Sequence, residues 1–172
     1  MRSLILGGAR SGKSALAERW ADASGLDVVY IATAERRDAE MDARVDLHRA
    51  RRPAHWGCVE EPLALADALR RLASPQRCVL VDCLTLWLSN LLCLDDAARY
   101  AHEREALLDA VANAAGQVLL VSNEVGLGVV PMGELSRRFV DEAGRLHQDL
   151  AHHCERVVFT AAGLPLFLKG SA

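Results

Sequence analysis

The sequence lacks a strong excess of charge of either sign and has no long apolar run. Its 172 residues include 20 Lys and Arg against 23 Asp and Glu, a net charge of -3. Nucleic acids and acidic membrane surfaces are bound mainly through clustered positive charge. A membrane-spanning helix needs roughly 20 consecutive apolar residues. We therefore expect no nucleic-acid partner and no membrane span.

Paired cysteines are also missing. The five cysteines are odd in number and show no C-x-x-C spacing: Cys58, Cys78, Cys83, Cys93 and Cys154. This pattern is unlike a disulfide framework or a zinc site and favours reduced thiols. The stretch before Gly7 is too short for a secretory signal peptide. We expect a cytoplasmic protein.

A glycine-rich stretch near the start carries the clearest chemistry. An apolar segment is followed by G-x-x-x-x-G-K-S, at Gly7, Gly8, Ala9, Arg10, Ser11, Gly12, Lys13 and Ser14. Glycines let successive backbone N–H groups point at phosphate oxygens, and the next helix adds its positive end. Lys13 would face the β- and γ-phosphates, and Ser14 would face Mg²⁺. A chance glycine turn would need the flanking strand and helix patterns to be coincidental.

The rest of the chain alternates strand-like and helix-like segments, with neither repeats nor a linker. This order predicts one α/β domain over 1–172, with a mostly parallel sheet and helices on both faces. The final two strands, joined at a Gly163 turn, predict an antiparallel edge hairpin. We place strands at 4–6, 28–32, 56–60, 78–82, 118–122, 157–161 and 164–168, and helices at 13–23, 38–52, 63–72, 84–92, 97–115 and 134–153.

Two polar positions follow predicted strands, where ligands bind in open α/β sheets. Asp82 ends an apolar strand and is a candidate Mg²⁺ ligand beside the phosphate loop. Its alternative role is to cap the helix that starts near Leu84. Asn123 and Glu124 follow the next predicted strand and either face the site or serve the turn. No N-K-x-D base-recognition motif is present, which argues against a switch GTPase.

A basic segment surrounds His48. At helical spacing Arg44, His48 and Arg51 or Arg52 share one face. Neighbouring cations disfavour protonation of the histidine, and a neutral imidazole is a nucleophile. The alternative is a solvated basic surface with an incidental histidine, and local sequence alone favours it. The other histidines look less promising. His102 lies in a charged helical segment, and His147, His152 and His153 lie in the late helix. Adjacent residues on a helix point about 100° apart, so His152 and His153 make a poor metal pair.

Taken together, these motifs resemble the bifunctional adenosylcobinamide kinase / adenosylcobinamide-phosphate guanylyltransferase family of cobalamin biosynthesis. The resemblance runs in order over nearly the whole chain. It rests on the loop at 7–14, the Y-I-A-T-A stretch at 30–34, the segment 42–56 ending in R-P-A-H-W, and N-E-V-G at 123–126 with V-V-P at 129–131.

The resemblance implies a RecA-like P-loop fold and two reactions. A nucleoside triphosphate, ATP or GTP, phosphorylates adenosylcobinamide. GTP then guanylylates an enzyme histidine, and GMP passes to adenosylcobinamide phosphate. His48 matches that histidine, and Glu124 is a candidate to orient the substrate hydroxyl or act as base. The implied nucleotide contacts are the loop 7–14, Ala32, Thr33, Ala34, Arg49, Ala50, Arg51, Arg52, Glu60 and Asp82.

The same resemblance implies a homotrimer that binds a corrinoid and uses Mg²⁺ at Ser14 and Asp82. Relatives often have Glu where this chain has Asp82, so direct or water-mediated metal contact is left open. Two rivals share the loop. One is a single-activity small-molecule kinase, which gives His48 no covalent task. The other is a RecA-like ATPase that binds nucleic acid, which the acidic composition argues against.

Overall fold

The computed structural model describes residues 1–35 and 53–171. Its centre is a sheet in the order β3-β2-β4-β5-β1-β6-β7. The strands are Arg2–Gly7 (β1), Asp27–Ala32 (β2), Gly57–Glu60 (β3), Arg77–Asp82 (β4), Gln117–Asn123 (β5), Arg156–Ala161 (β6) and Leu164–Lys169 (β7). All neighbouring strands are parallel except the β6–β7 pair. The predicted parallel sheet with an antiparallel edge hairpin is confirmed.

The described helices are Lys13–Asp22 (α1), Leu65–Leu72 (α2), Leu84–Leu92 (α3), Ala97–Asn113 (α4) and Glu134–His153 (α5). They lie within one or two residues of the predicted ranges, apart from the helix predicted over 38–52, which lies outside the described residues. None of the helices in the described part of the chain is long and apolar enough to cross a bilayer.

Both faces of the sheet are buried, but unequally. Alternate strand residues face opposite sides. Ile5 and Leu80 pack with α1, whereas Leu4, Leu6 and Val81 pack with α2, α3, α4 and α5. The near-continuous apolar strands of the sequence follow from this two-sided burial. The larger, four-helix side forms the main core.

Two helix ends differ from prediction by two residues, each for a visible reason. The helix predicted from 63 begins at Leu65, because the Glu61 carboxylate accepts the N–H groups of Leu63 (3.0 Å) and Ala64 (2.8 Å) just before it. Helix α4 ends at Asn113 rather than 115. Beyond it, Gly116 adopts φ 79° and passes so close to Ser74 that a Cβ would lie 2.0 Å from that carbonyl oxygen. The chain therefore has to leave the helix early to enter β5.

Candidate active site

The carboxyl ends of the strands bring several of the predicted site residues into one row. Ala32 of β2 is in register with Glu60 on one side and Asp82 on the other. Further along the same edge, Gly7 of β1 is in register with Asn123 of β5. Residues separated by up to 116 positions in sequence thus end at a common edge, where open α/β sheets bind their ligands.

The glycine-rich loop at this edge has backbone geometry that favours glycine at two of its positions. Gly12 adopts φ 97°, and the residue before α1 provides no side-chain cap to its first turn. A Cβ on Gly7 would lie 2.5 Å from both the Ser11 hydroxyl and the Thr160 carbonyl oxygen. Arg10, with φ 56°, shares the left-handed region. The loop therefore presents the uncapped N–H groups of a helix N-terminus, which is suited to bind phosphate.

Lys13 is the cation of this loop, and it is buried. Its Nζ donates to the carbonyl oxygen of Gly8 at 3.1 Å, so the side chain folds back over the loop. Burial lowers the pKa of Lys13, and the nearby Asp82 carboxylate opposes that shift. A partly desolvated ammonium interacts more strongly with an anion than a solvated one does. The position and burial of Lys13 thus suit it to neutralise the charge of a phosphate.

Asp82 does not cap the following helix. The residue at the N-cap of α3 is Cys83, and its side chain makes no capping bond. Asp82 instead ends β4 close enough to influence the charge of Lys13. A carboxylate beside a phosphate loop, together with the Ser14 hydroxyl at the start of α1, forms an oxygen donor set of the kind that Mg²⁺ prefers. The residues present therefore fit the metal that the resemblance implies.

Thr33 holds the end of β2 against the end of β4. Its hydroxyl donates to the Cys83 carbonyl oxygen at 2.7 Å and accepts the Cys83 N–H at 2.9 Å. The backbone oxygen of Thr33 accepts a bond from the buried Asn90 amide at 2.9 Å. Predicted as a nucleotide contact, Thr33 is fully buried here, and its hydroxyl serves the backbone next to Asp82.

At the end of β5, Asn123 and Glu124 serve the local structure, one of the two roles that the sequence left open. The Asn123 amide donates to the Thr85 hydroxyl at 2.8 Å, which ties β5 to α3. One oxygen of Glu124 accepts the Gly126 N–H at 2.6 Å, as in a turn. Its other oxygen lies 3.7 Å from Nδ1 of His147. Glu124 therefore stabilises the turn and also faces a second polar group.

Sequence reasoning missed His147. This histidine is buried on α5, and its Nε2 lies 2.7 Å from the hydroxyl of the fully buried Ser122. Burial lowers the pKa of His147, and Glu124 opposes the shift. The available signal was its position: His147 shares the apolar face of α5 with Ala143 and Leu150, at helical spacing.

An apolar cavity of about 420 Å³ opens beyond Glu124, between the end of α3 and the start of α5. Its walls include Leu92, Val125, Pro131 and Phe139. Because Val125 directly follows Glu124, the cavity borders the row of strand ends. The loop after it exposes unusually apolar side chains, among them Leu127, Val129, Val130 and Met132.

His48 and the contacts predicted at Arg49, Ala50, Arg51 and Arg52 lie outside the described residues. His102, His152 and His153 are exposed. Within residues 1–35 and 53–171 no cluster of three or more His, Cys, Asp or Glu side chains has the arrangement of a metal site. None of the five cysteines forms a disulfide, and Cys78, Cys83 and Cys154 are buried.

Solved structures with a similar fold confirm the RecA-like P-loop architecture. A Pyrococcus horikoshii protein from a structural project superimposes with a TM-score of 0.58 at 11% identity, covering 99% of this chain and 87% of its own. The RadB recombinase gives a TM-score of 0.52 at 13% identity, covering 92% of this chain and 73% of its own. At these identities the likeness concerns the fold alone.

Proteins that are related in sequence identify the family more specifically than the shared fold does. The chain is 66% identical over 170 residues to the bifunctional adenosylcobalamin biosynthesis protein CobP of Pseudomonas aeruginosa, covering 99% of this chain and 98% of the relative. It is 37% identical over 182 residues to the Escherichia coli protein CobU, whose name describes the same bifunctional role, covering 98% and 100%. The Salmonella typhimurium CobU is 36% identical with the same coverage.

The family model for cobinamide kinase / cobinamide phosphate guanyltransferase matches residues 3–168. That range includes the phosphate loop, the basic segment around His48 and the whole row of strand ends. The chain is therefore an enzyme that belongs to the cobinamide kinase / cobinamide phosphate guanylyltransferase family.

Proposed function

We propose that this single P-loop domain catalyses two successive steps of cobalamin assembly. In the first, ATP or GTP phosphorylates the hydroxyl of adenosylcobinamide. In the second, GMP from GTP is joined to the resulting phosphate, giving adenosylcobinamide-GDP. The observation that carries the proposal is the family match over 3–168 combined with a phosphate loop whose buried Lys13 lies beside Asp82.

The kinase step places little covalent chemistry on the protein. Phosphoryl transfer is accelerated mainly by positioning and by neutralising charge on the transferred group. The N–H groups at the start of α1 and the ammonium of Lys13 supply positive charge at one point. Ser14 and Asp82 would hold Mg²⁺, which neutralises phosphate charge when it is bound.

The guanylyl step uses a covalent intermediate on His48. A ring nitrogen of His48 forms a bond to the α-phosphorus of GTP, and the bond from that phosphorus to the bridging oxygen breaks. Pyrophosphate leaves with the electron pair, and the imidazole N–H proton is released. An oxygen of the corrinoid phosphate then bonds to the phosphorus as the P–N bond breaks, and the leaving ring nitrogen takes the bonding pair while the imidazole regains a proton from solvent. Dividing one displacement into two is the usual advantage of a nucleophilic side chain.

His48 is supported by its place in the sequence. It matches the GMP-carrying histidine in the family resemblance, and Arg44, Arg51 and Arg52 flank it in the sequence. Fixed cations favour the neutral, nucleophilic imidazole, and arginines pair well with phosphate oxygens. The proposed nucleotide site is completed by Arg49 to Arg52, Ala32 to Ala34 and Glu60. Ala32, at the end of β2, is in register with Glu60, at the end of β3.

The test is incubation with Mg²⁺ and GTP labelled at the α-phosphate. We expect a protein-bound label that is labile in acid and stable in alkali, as a phosphoramidate is. His48→Asn should eliminate it, whereas His102→Asn, an exposed histidine on α4, should retain it. Undiminished labelling of the His48→Asn protein would exclude this histidine as the nucleophile.

We extend the proposal to a cytoplasmic homotrimer, as the resemblance implies. An assembly would cover exposed apolar surface, which this chain has on its edge strand. Leu164, Leu166 and Leu168 of β7 are all more than half exposed. Light scattering after size exclusion should give three times the 18.7 kDa of the chain. A monomer mass at working concentration would exclude the trimer.

A further inference from the structure

Glu124 occupies the junction between the phosphate loop and the apolar cavity. Its backbone N–H donates to the carbonyl oxygen of Gly7, the first residue of the loop, at 3.0 Å. On its other side, Val125 forms part of the cavity wall. A substrate whose hydroxyl must reach the γ-phosphorus while its bulk stays beside the loop would pass this carboxylate.

The carboxylate is partly exposed but held in place. Its side chain is 22% exposed, enough to meet a substrate group. One oxygen is held by the Gly126 N–H at 2.6 Å. The other faces His147, whose Nε2 contacts the Ser122 hydroxyl at 2.7 Å. The side-chain contacts from Ser122 to His147 and on to Glu124 thus run from the core of the sheet to its carboxyl edge.

Of the two neutral tautomers of His147, the one with its hydrogen on Nδ1 suits the neighbouring carboxylate. An ionised carboxylate only accepts, so the nitrogen that faces Glu124, Nδ1, carries the hydrogen. Nε2 is then free of hydrogen and accepts the Ser122 O–H. Burial favours this neutral form of the imidazole. The 3.7 Å separation is longer than a hydrogen bond, so His147 acts on Glu124 through a close dipole rather than a full bond.

We propose that Glu124 is the proton acceptor of the kinase step and that His147, anchored by Ser122, is its positioning residue. The proposal rests on the kinase activity proposed above. The substrate oxygen forms a bond to the γ-phosphorus while the bond from that phosphorus to the β-bridging oxygen breaks. The nucleoside diphosphate leaves with that electron pair, and the hydroxyl proton passes to an oxygen of Glu124.

Glu124→Gln distinguishes this role from a purely structural one. Glutamine keeps the size of the side chain and an oxygen to accept the Gly126 N–H, but it cannot take up a proton. We expect kcat for corrinoid phosphorylation to fall about 100-fold or more, the scale of general-base catalysis. The KM for nucleotide and the guanylylation of His48 should stay unchanged. A kcat within about threefold of wild type would overturn the proposal.

His147 is tested with a rescue pair. His147→Leu removes both polar contacts, and His147→Asn restores an N–H near the position of Nδ1. We expect His147→Leu to lower the kinase kcat about tenfold without raising the nucleotide KM, and His147→Asn to recover most of it. His153→Leu, an exposed change on the same helix, is the matched control.

The outcomes separate the two levels of the claim. If His147→Leu lowers both the kinase and the guanylylation rates in equal proportion, His147 is merely structural and its positioning role is wrong. If kinase activity persists in Glu124→Gln while the wild type phosphorylates the corrinoid, Glu124 is not the base. If the wild type phosphorylates no corrinoid at all, the proposed function itself fails.

Discussion

The backbone N–H of Glu124 donates to the carbonyl oxygen of Gly7 across 3.0 Å, where β5 and β1 end side by side. This bond joins the phosphate loop to the segment that leads to the apolar cavity. The two parts of the proposed kinase site therefore share one rigid backbone connection. Precise relative placement of that kind is worth several kcal/mol to a two-substrate reaction.

Lys13 should be essential for chemistry, and the chain offers a matched control. Lys13→Met keeps the aliphatic stem but removes the charge beside the phosphates. We expect kcat to fall about 100-fold in both half-reactions, the scale seen when one stabilising group is lost from a charged transition state.

Lys169→Met is the control, since Lys169 donates to the Ala151 carbonyl oxygen at 2.8 Å near the end of α5 and pairs with Val157 near the start of β6, at the edge of the sheet opposite the phosphate loop. It should keep both activities and lower the melting temperature slightly. The comparison requires rates measured on protein shown to be folded. Equal losses in the two variants would mean that charge removal, not position, is responsible.

Gly7 and Gly8 are adjacent, but alanine should destabilise the protein far more at Gly7 than at Gly8. A Cβ on Gly7 meets the Thr160 carbonyl oxygen at 2.5 Å, whereas a Cβ on Gly8 has nothing within 4 Å. We expect Gly7→Ala to destabilise the nucleotide-free protein by about 2 kcal/mol, as overpacking against backbone does, and Gly8→Ala by little. Urea denaturation of the two variants measures the difference. Similar stabilities would show that the loop at Gly7 is looser than this geometry requires.

The ion pair between Arg2 and Glu155 predicts a pH dependence of the free energy of unfolding. Hydrogen bonds from Arg2 lower the pKa of Glu155 from its ordinary 4.5 to about 2. A lowered pKa gives stability that is complete above pH 4.5 and is lost as the pH falls towards 2. Because Glu155 is nearly half exposed, solvent screening keeps the effect modest.

Glu155→Gln tests this dependence directly. The wild type should be more stable than the variant at neutral pH, and the difference should shrink below pH 4.5. Denaturation curves at several pH values between 7 and 2 measure it. Glu105→Gln, an exposed change on α4, should show no such trend. A wild-type advantage that stays constant down to pH 2 would contradict the assigned cause.

Much of the fold could be predicted from the sequence because the patterns that mark its helices and strands are local. The apolar runs, the glycine at 116 and the Lys13–Ser14 pair each mark an element by themselves. Helix α3 was predicted to the residue, and six of its nine residues are apolar. What could not be predicted depends on contacts between distant segments. The hydroxyl of Thr33 serves Cys83, 50 residues away, and only the folded sheet brings them together.

The same reason explains the histidines. The position of His147 on the apolar face of α5 marked it as buried but not what it contacts, because its partner Ser122 is 25 positions away, on a strand that faces α5 only after folding. His48 was singled out by its arginine neighbours, and the family resemblance rather than local chemistry made it the favoured nucleophile. Among residues 1–35 and 53–171 the two sides of the sheet are covered unequally, by α1 on one side and by four helices on the other, and this was likewise not predictable from any single segment.

The most direct test of the two-step mechanism is a chase of the isolated guanylylated enzyme. Protein labelled from α-labelled GTP is freed of nucleotide and mixed with adenosylcobinamide phosphate. We predict that the label leaves His48 and appears in adenosylcobinamide-GDP at least as fast as steady-state turnover. A label that stays on the protein, or that transfers more slowly than turnover, would contradict His48 as a carrier of GMP.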